Sequence, residues 1–350
     1  MRKKAYFKSV TIFLSILLVF SQLQLFSLPA YGETVSDQPL LFRSVGVAQS
    51  GTTYYVDGEG GNNANDGQSP ASAWRDFEKV NQTEFQPGDH LLLNAQSTWN
   101  NQLLHPKGNG TAAQKIVIDF YDTNDKGETI FETTRRPIIN GGGTYSTGTF
   151  KRAISGAVQL VNQEYWDISN LEVTNTPELD NLEGYKKPGD AQRAGILVLG
   201  YEQNRTFNSV TIRNNYVHDV QTEYYLNLSG NTATKRLKAV GGIIVLGSWF
   251  DENGNVVTAA NDHRTTTGFN DILIENNVIQ RVGLEGIRTK ADSDTSRGNT
   301  FYKTFSNITI RNNYLEDIAG DGIVLSEAKS GGVVEGNVAV RMCNADYGTQ

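Results

Sequence analysis

The chain has 350 residues, 38% of them hydrophobic, and a formal net charge of −7. This composition is typical of a folded domain, and the acidic balance makes nucleic acid and anionic membrane surfaces unsuitable partners. The single cysteine, Cys343, excludes an internal disulfide framework and is expected to be a buried apolar residue.

The N-terminus, residues 1–32, has the pattern of a secretory signal peptide. Four basic residues precede an apolar run from Val10 to Phe20, and a small-x-small cleavage site ends at Gly32. Polar residues interrupt the run before it could span a membrane. Cleavage would remove four positive and no negative charges, so the formal charge would fall from −7 to −11. We expect a secreted, extracellular protein without a membrane attachment.

Residues 33–51 have no periodicity and are expected to form a disordered leader before one domain at 52–350. An N-terminal cap at about 52–95 should contain the one helix of the fold. Ser69-Pro70 would open this helix, because Ser caps helices and Pro fits the first turn. Trp74, Phe77 and Val80 follow at helical spacing. We place this capping helix across the open N-terminal strand edge.

The rest of the chain is organised by an internal repeat. The clearest copies are Phe207–Val220, Phe269–Val282 and Phe305–Ile318. In each copy apolar and polar residues alternate as in a strand, an Asn-Asn pair ends the alternation, and a Gly-Ile strand follows. No helical periodicity separates the copies. Two strands per copy, stacked coil on coil, therefore predict an all-β solenoid.

The residue after each first strand gives an independent test of this register. In successive copies it is Arg213, Glu275, Arg311 and Glu335. Stacked about 4.8 Å apart, these residues would form a ladder of alternating charge on an exposed face. Leucine-rich repeats have a similar period, but their Leu-x-x-Leu-x-Leu consensus is absent.

Several motifs resemble those of one protein superfamily. They are the Asn-Asn turns, the Gly-Ile strands and the blocks at 54–58, 65–70, 85–89, 106–111 and 136–140. In these features the chain resembles secreted right-handed parallel β-helix proteins of the pectate-lyase-like superfamily, particularly bacterial glycoside hydrolases of the xylanase and fucosidase type. The resemblance implies a right-handed parallel β-helix and a carbohydrate ligand.

Four long insertions, at about 177–193, 221–240, 248–268 and 292–304, are expected to project from the solenoid. Loops on a rigid scaffold are frequent binding sites, and aromatic rings suit the apolar faces of sugars. We therefore predict that Trp249 and Tyr302 bind substrate. Packing of each ring beneath its own loop is the alternative.

The best candidate catalytic pair is Glu285 and Asp321. Each immediately precedes the Gly-Ile of its coil, so the repeat stacks them as neighbours. Such stacking allows carboxyl separations near the roughly 5–5.5 Å of retaining glycosidases. Two turn residues that bond local amides are the alternative.

Arg288 and Lys290 form a second candidate group, expected to face outward and bind substrate. In β-helix lyases such a base removes a proton next to a uronate carboxylate, and Asp292, Asp294 and Asp321 would then hold calcium. Without that chemistry no cofactor or metal is expected. Structural ion pairs to Glu285, Asp292 or Glu327 are the alternative for both cations.

The last copy lacks a capping helix, although solenoid ends need a cap. We therefore expect the β-helix to be truncated at its C-terminus; if the groove continues, some or all catalytic residues lie beyond Gln350.

The leading functional prediction is a glycoside hydrolase that acts on plant-type polysaccharide. A polysaccharide lyase on a uronate polymer is one alternative, and a non-catalytic glycan-binding or surface-adhesion solenoid is the other. Under each hypothesis the ligand is a polysaccharide or oligosaccharide, and we expect a monomer.

Overall fold

The computed structural model describes residues 41–48, 50–143, 154–176, 192–202, 205–220, 240–247, 267–291 and 304–344. They lie within one compact unit, Leu41–Gln350. Short strands from successive copies pair in parallel and form three sheets around a shared hydrophobic core. The fold is a parallel β-helix, which confirms the all-β class predicted from the repeats.

The first sheet consists mainly of the strands that precede the Asn-Asn pairs. Its parallel path runs through Thr53–Val56, His90–Asn94, Ile116–Thr123, Trp166–Ser169, Thr206–Arg213, Gly268–Glu275, Phe305–Arg311 and Ala328–Ser330. Val333–Glu335 also pairs with Phe305–Arg311, and Thr129–Ile130 pairs antiparallel with Ile116–Thr123.

The second and third sheets close the coils. The second contains Thr98–Asn100, Ile138–Asn140, Glu172–Asn175, Tyr216–Val220, Val278–Val282, Tyr314–Ile318 and Val338–Met342. The third contains Ile154–Val161, Gln192–Gly200, Gly241–Gly247, Glu285–Ala291 and Ile323–Leu325. Two small sheets pair Phe42–Arg43 with Glu132–Thr133 and Glu84–Phe85 with Lys107–Gly108.

The register predicted from the repeat is confirmed. Ile168, Ile212, Ile274, Ile310 and Val334 are direct neighbours from coil to coil. The prediction of two strands per copy is wrong, because the residues after the Asn-Asn pair form a strand of their own. In one copy Val217 and Val220 of this strand face the core. A left-handed residue between them, Asp219 at φ +49°, breaks the alternation that would have revealed it.

The Asn-Asn pair closes the corner between the first and second sheets. Its first member adopts left-handed backbone, for example Asn276 at φ +55°, a conformation that Asn tolerates better than most residues. Its second member is buried and bonds to the next coil. Oδ1 of Asn277 accepts from the backbone N–H of Asn215 at 3.0 Å, and Asn313 does the same for Asn277 at 2.9 Å. The second asparagines therefore form a continuous ladder.

The alternating charges after the first strands are stacked as predicted, but they do not form one continuous ladder. Arg311 pairs with Glu275, with Nη2 and Oε2 2.7 Å apart. Arg213 instead pairs with Asp167 of the preceding coil at 2.8 Å. The residue that pairs with Arg213 in that coil is Ser169, which carries no charge. Arg213 therefore forms its ion pair with Asp167, two residues earlier in the same strand.

The predicted capping helix is divided in two, contrary to the sequence prediction. Ser69 caps only the 3₁₀ turn Pro70–Ser72, and Asp76 caps the separate α-helix Phe77–Gln82. Between them Trp74 leaves the helical path and forms a parallel bridge to Val56. Pairing with the edge strand satisfies backbone groups that a continuous helix would leave exposed. Trp74, Phe77 and Val80 are all buried, as expected.

Two further predictions need correction. Residues 33–40 of the expected disordered leader lie outside the described residues, but Phe42–Arg43 form a strand, and Val45 N–H donates to the buried carboxylate of Asp119 at 2.9 Å. Cys343 is exposed rather than buried. It follows Val338–Met342, a strand of the final coil whose side chains are partly or fully exposed.

The long insertions lie, apart from their terminal residues, outside the described ranges, as does the proposed signal peptide. Among the residues that are described, no helix has the length and apolar character needed to cross a bilayer.

Candidate functional site

The third sheet brings Glu285 and Asp321 together as the repeat predicts. Glu285 pairs with Gly241 of the preceding coil. On its other side the backbone N–H of Gly286 donates to the carbonyl oxygen of Asp321 at 2.9 Å. The two carboxylates therefore occupy equivalent positions in adjacent coils.

The glycine that follows each of these acids fixes where the acid can lie. A Cβ atom on the repeated glycines would come within 2.3 to 2.7 Å of a second-sheet side chain: Val217 for Gly195, Ile279 for Gly242, Leu315 for Gly286 and Met342 for Gly322. Only glycine allows the third sheet to approach the second this closely. The residue before the glycine thus sits at a tight, repeated corner.

The surroundings of the two acids differ. Glu285 is 6% exposed, and its Oε1 accepts from Nη1 of Arg288 at 2.6 Å. Asp321 is exposed. Glu285 therefore faces a guanidinium, whereas Asp321 is open to solvent. Glycoside hydrolysis uses two carboxyl groups, one as the acid and the other as the nucleophile or base.

Arg288 and Lys290 lie on the outer side of the third sheet, as predicted. Arg288 aligns with Ile244, and Lys290 aligns with Leu246. Both apolar residues belong to a buried cluster separate from the main core. Lys290 pairs with Glu327 at 2.5 Å. Each cation is thus engaged by a carboxylate, as the ion-pair interpretation of the sequence anticipated, and substrate binding by either residue stays a prediction.

The remaining predicted site residues are two aromatic residues and two aspartates of the insertions. Trp249, Tyr302, Asp292 and Asp294 all lie outside the described residues. Within the ranges that the structure describes, no group of three or more His, Cys, Asp or Glu side chains is arranged to hold a metal ion. The calcium site proposed for a lyase thus stays a prediction.

A second polar constellation, on the outer face of the second sheet, was not selected from the sequence. His218 places Nδ1 2.6 Å from Oδ2 of Asp219 and Nε2 3.1 Å from Oε1 of Glu172. Asp219 also accepts from Nε of Arg281 at 2.7 Å. The ring of His218 stacks on that of Tyr216, with centroids 4.0 Å apart. Three successive coils are linked by these contacts.

The contacts within this group favour the charged forms of His218 and Asp219. Burial alone would lower the pKa of His218, but the hydrogen bonds to Asp219 and Glu172 outweigh it and raise this pKa above the ordinary 6.5. Burial acts against ionisation of Asp219, yet Arg281 and His218 hold the pKa of its carboxyl well below the usual range. The sequence carried one signal for this group: Asp219, Arg281, Asp317 and Arg341 alternate in sign from coil to coil.

No protein-family model matches the chain. The chain is similar to the lacto-N-biosidase of Bifidobacterium longum subsp. longum, with 28% identity in an alignment of 318 residues that covers 80% of this chain. The matched region is 19% of that enzyme, so the chain spans about a fifth of its relative's length.

Two solved structures show a distant likeness. The GH136 lacto-N-biosidase from Eubacterium ramulus has a TM-score of 0.47 and 20% identity, covering 83% of this chain and 56% of the other. A rhamnogalacturonan lyase has a TM-score of 0.43 and 15% identity, covering 81% of this chain and 63% of the other. At these values the fold assignment rests on the strand register, and neither structure bears on the site.

Proposed function

We propose that the chain is part of a secreted glycoside hydrolase that acts on oligosaccharides containing lacto-N-biose. The observation that carries this proposal is the 28% identity to a lacto-N-biosidase, because it extends over 80% of the chain. The proposal replaces plant-type polysaccharide, the substrate class predicted from the sequence. Secretion rests on residues 1–32, whose pattern is that of a signal peptide, and the protein is proposed to be a monomer.

Glu285 and Asp321 are the proposed catalytic residues. Glu285, beside the Arg288 guanidinium, serves as the ionised carboxylate that attacks the anomeric carbon or activates water. Asp321, which is exposed and in the neighbouring coil, protonates the leaving oxygen. This division follows the general requirement for one ionised and one protonated carboxyl group on either side of the scissile bond. Trp249 and Tyr302 remain proposed substrate contacts.

The test is release of p-nitrophenol from p-nitrophenyl lacto-N-bioside by the secreted protein. We expect activity in the native protein and a loss of at least roughly a hundredfold in Glu285→Gln and Asp321→Asn, as expected when an acid–base group is removed. Asp271→Asn is the matched control. Asp271 is exposed on the first sheet at φ +62°, and the equivalent residue of the next coil is Asn307 at φ +53°.

Full activity in both site variants would remove Glu285 and Asp321 as catalysts. Absence of lacto-N-bioside hydrolysis, together with cleavage of another glycan, would overturn the substrate assignment. A product absorbing near 235 nm would indicate the lyase alternative, and binding without cleavage would indicate the non-catalytic one. The ion pairs of Arg288 and Lys290 give neither alternative specific support.

A further inference from the structure

The outer face of the second sheet borders an open cleft of about 590 Å³. Its lining includes Phe42, Gln96, Arg135, Arg136, Glu172 and Tyr216. We call it the N-terminal cleft. The N-terminal strand Phe42–Arg43 contributes Phe42 to this lining, and the coils of the solenoid contribute the rest. Its volume lies within the range of small-ligand sites. Glu285 and Asp321 lie on a different sheet, so the cleft is not part of the proposed catalytic pair.

The aromatic side chains of the cleft are held in fixed positions. Phe42 lies against the guanidinium of Arg136, whose carbon is 3.8 Å from the ring centroid. Tyr216 stacks on His218, and its hydroxyl group donates to Gln280 at 2.9 Å. Rings immobilised in this way can contact the apolar face of a sugar with little further loss of side-chain entropy.

The acid in the cleft, Glu172, already has a hydrogen-bond partner. Glu172 accepts from His218, and the other nitrogen of that ring bonds to Asp219, which is paired with Arg281. When His218 is protonated, two cations and two carboxylates alternate across three coils. The other charged side chains of the cleft lining are its two neighbouring arginines, Arg135 and Arg136.

Those arginines give the cleft a positive character within an acidic protein. Arg136 donates to the carbonyl oxygens of Leu171 and Asn214 and forms no ion pair within the described ranges. Burial lowers its pKa to about 10, so the cation remains charged at neutral pH but is poorly solvated. The side chain of Arg135 is 54% exposed, and its Nε lies 3.4 Å from the buried carboxylate of Asp122, a loose contact for an ion pair.

We propose that the N-terminal cleft binds the carboxylate of an acidic sugar residue within an oligosaccharide. Arg135 and Arg136 face the carboxylate, and Phe42 and Tyr216 contact the sugar ring. Arginine suits this ligand because its planar donors match a carboxylate in geometry and charge. The cleft would let the protein hold acidic glycans at a site separate from the one that cleaves them.

The experiment is calorimetric titration of the full chain with two matched pairs of probes. The first pair is 3′-sialyllactose and lactose, and the second is digalacturonate and its methyl ester. We expect binding of at least one acidic probe and none of its neutral partner. Binding should weaken as salt is raised. The pair that binds identifies the source of the carboxylate, a sialate or a uronate, and either result supports the proposal.

The variant Arg135→Gln should weaken binding of the acidic probe by about tenfold, as expected for loss of one charged hydrogen bond. Arg75→Gln removes the same charge from an exposed residue outside the cleft lining and should leave binding unchanged. The binding measured for Arg136→Gln is interpreted only if the melting temperature of this variant is unchanged, because Arg136 also donates hydrogen bonds to two backbone carbonyl groups. Equal binding of acidic and neutral probes, or no binding of either acid at millimolar concentration, would overturn the proposal. Because hydrolysis is not measured, this outcome is independent of the proposed enzymatic activity.

Discussion

Asn277 donates from its side-chain Nδ2 to Oδ1 of Asn313 at 3.0 Å, and its backbone N–H donates to the same oxygen at 2.9 Å. Both side chains are fully buried. The same geometry recurs between Asn215 and Asn277 and between Asn313 and Asn337. The side-chain oxygen of the second asparagine in each coil therefore accepts a hydrogen bond from the backbone N–H of the second asparagine in the preceding coil.

We expect Asn277→Ala to lower the free energy of unfolding by about 2–4 kcal/mol, because the buried N–H of Asn215 loses its acceptor and the carbonyl of Ile212 loses its donor. Urea denaturation would measure the change. The neighbouring Asn276 provides the control. Its left-handed backbone accepts glycine, as Gly336 shows at the equivalent corner, so Asn276→Gly should alter stability little. A cost below about 0.5 kcal/mol for Asn277→Ala would contradict a stabilising ladder.

A second prediction concerns the repeated glycines that approach the second sheet, Gly195, Gly242, Gly286 and Gly322. In Gly286→Ala the new Cβ would lie 2.5 Å from both the Gly322 carbonyl oxygen and Cδ2 of Leu315. Since one neighbour is backbone, side-chain repacking cannot relieve the contact, and we expect a loss of about 1–3 kcal/mol. Thermal denaturation would detect it. Gly127→Asn should be nearly neutral, because Gly127 has open space around its Cβ position and Asn tolerates its φ of +79°. Equal effects in the two variants would show that close sheet approach is not the reason for the glycines.

A third prediction follows from the histidine between two carboxylates. The folded-state pKa of His218 is raised above 6.5 by Asp219 and Glu172, against the effect of burial. The resulting stabilisation is fully present below pH 6.5 and is lost as the pH rises through the folded-state pKa. The difference in melting temperature between the native protein and His218→Gln should therefore shrink from pH 6 to pH 9. A difference that stays constant over this range would mean that His218 does not change its charge between pH 6 and pH 9, which would contradict the prediction.

His105 should behave in the opposite way. Burial, assisted by Lys107, lowers its pKa to about 4. The neutral form is favoured in the folded state, so His105 costs stability increasingly as the pH falls below 6.5. His105→Gln should relieve this cost in acid and have no pH-dependent effect above pH 7.

A fifth prediction tests the ion pair beside the proposed catalytic residue. Arg288→Gln removes the guanidinium that lies 2.6 Å from Glu285, and both side chains are largely buried. We expect a loss of about 3 kcal/mol in unfolding free energy. In the double variant Glu285→Gln/Arg288→Gln the loss should be smaller than the sum of the single losses, because the two residues are coupled. Additive losses, measured by urea denaturation, would show that the pair is energetically unimportant.

Some features of the candidate site could be predicted from the sequence, and others could not. The stacking of Glu285 on Asp321 could be predicted, because both precede a repeated Gly-Ile pair and the repeat sets the register. The exposed position of Asp321 could not, and the sequence left three possible partners for Arg288, of which the structure selects Glu285. An exposed fraction or an ion pair depends on everything that surrounds a side chain, and one repeat unit does not contain that information.

Tertiary contacts also explain the failures in the N-terminal region. The spacing of Trp74, Phe77 and Val80 correctly predicted a buried face, yet the backbone at Trp74 pairs with Val56 and divides the helix. Helical spacing is a local signal, and a free strand edge nearby overrides it. The strand at Phe42–Arg43 was missed because it is two residues long and its partner, Glu132–Thr133, is remote in sequence.

The sequence by itself determined the coil, its register and its corners, because each copy carries the same alternation, the same Asn-Asn pair and the same glycine, and stacking repeats one local solution. The tertiary structure alone decided which charges pair and where a cleft opens. Phe42, Arg136 and Tyr216 come from separate parts of the chain and share no pattern. They meet only because the coils and the N-terminal strand bring them to one face.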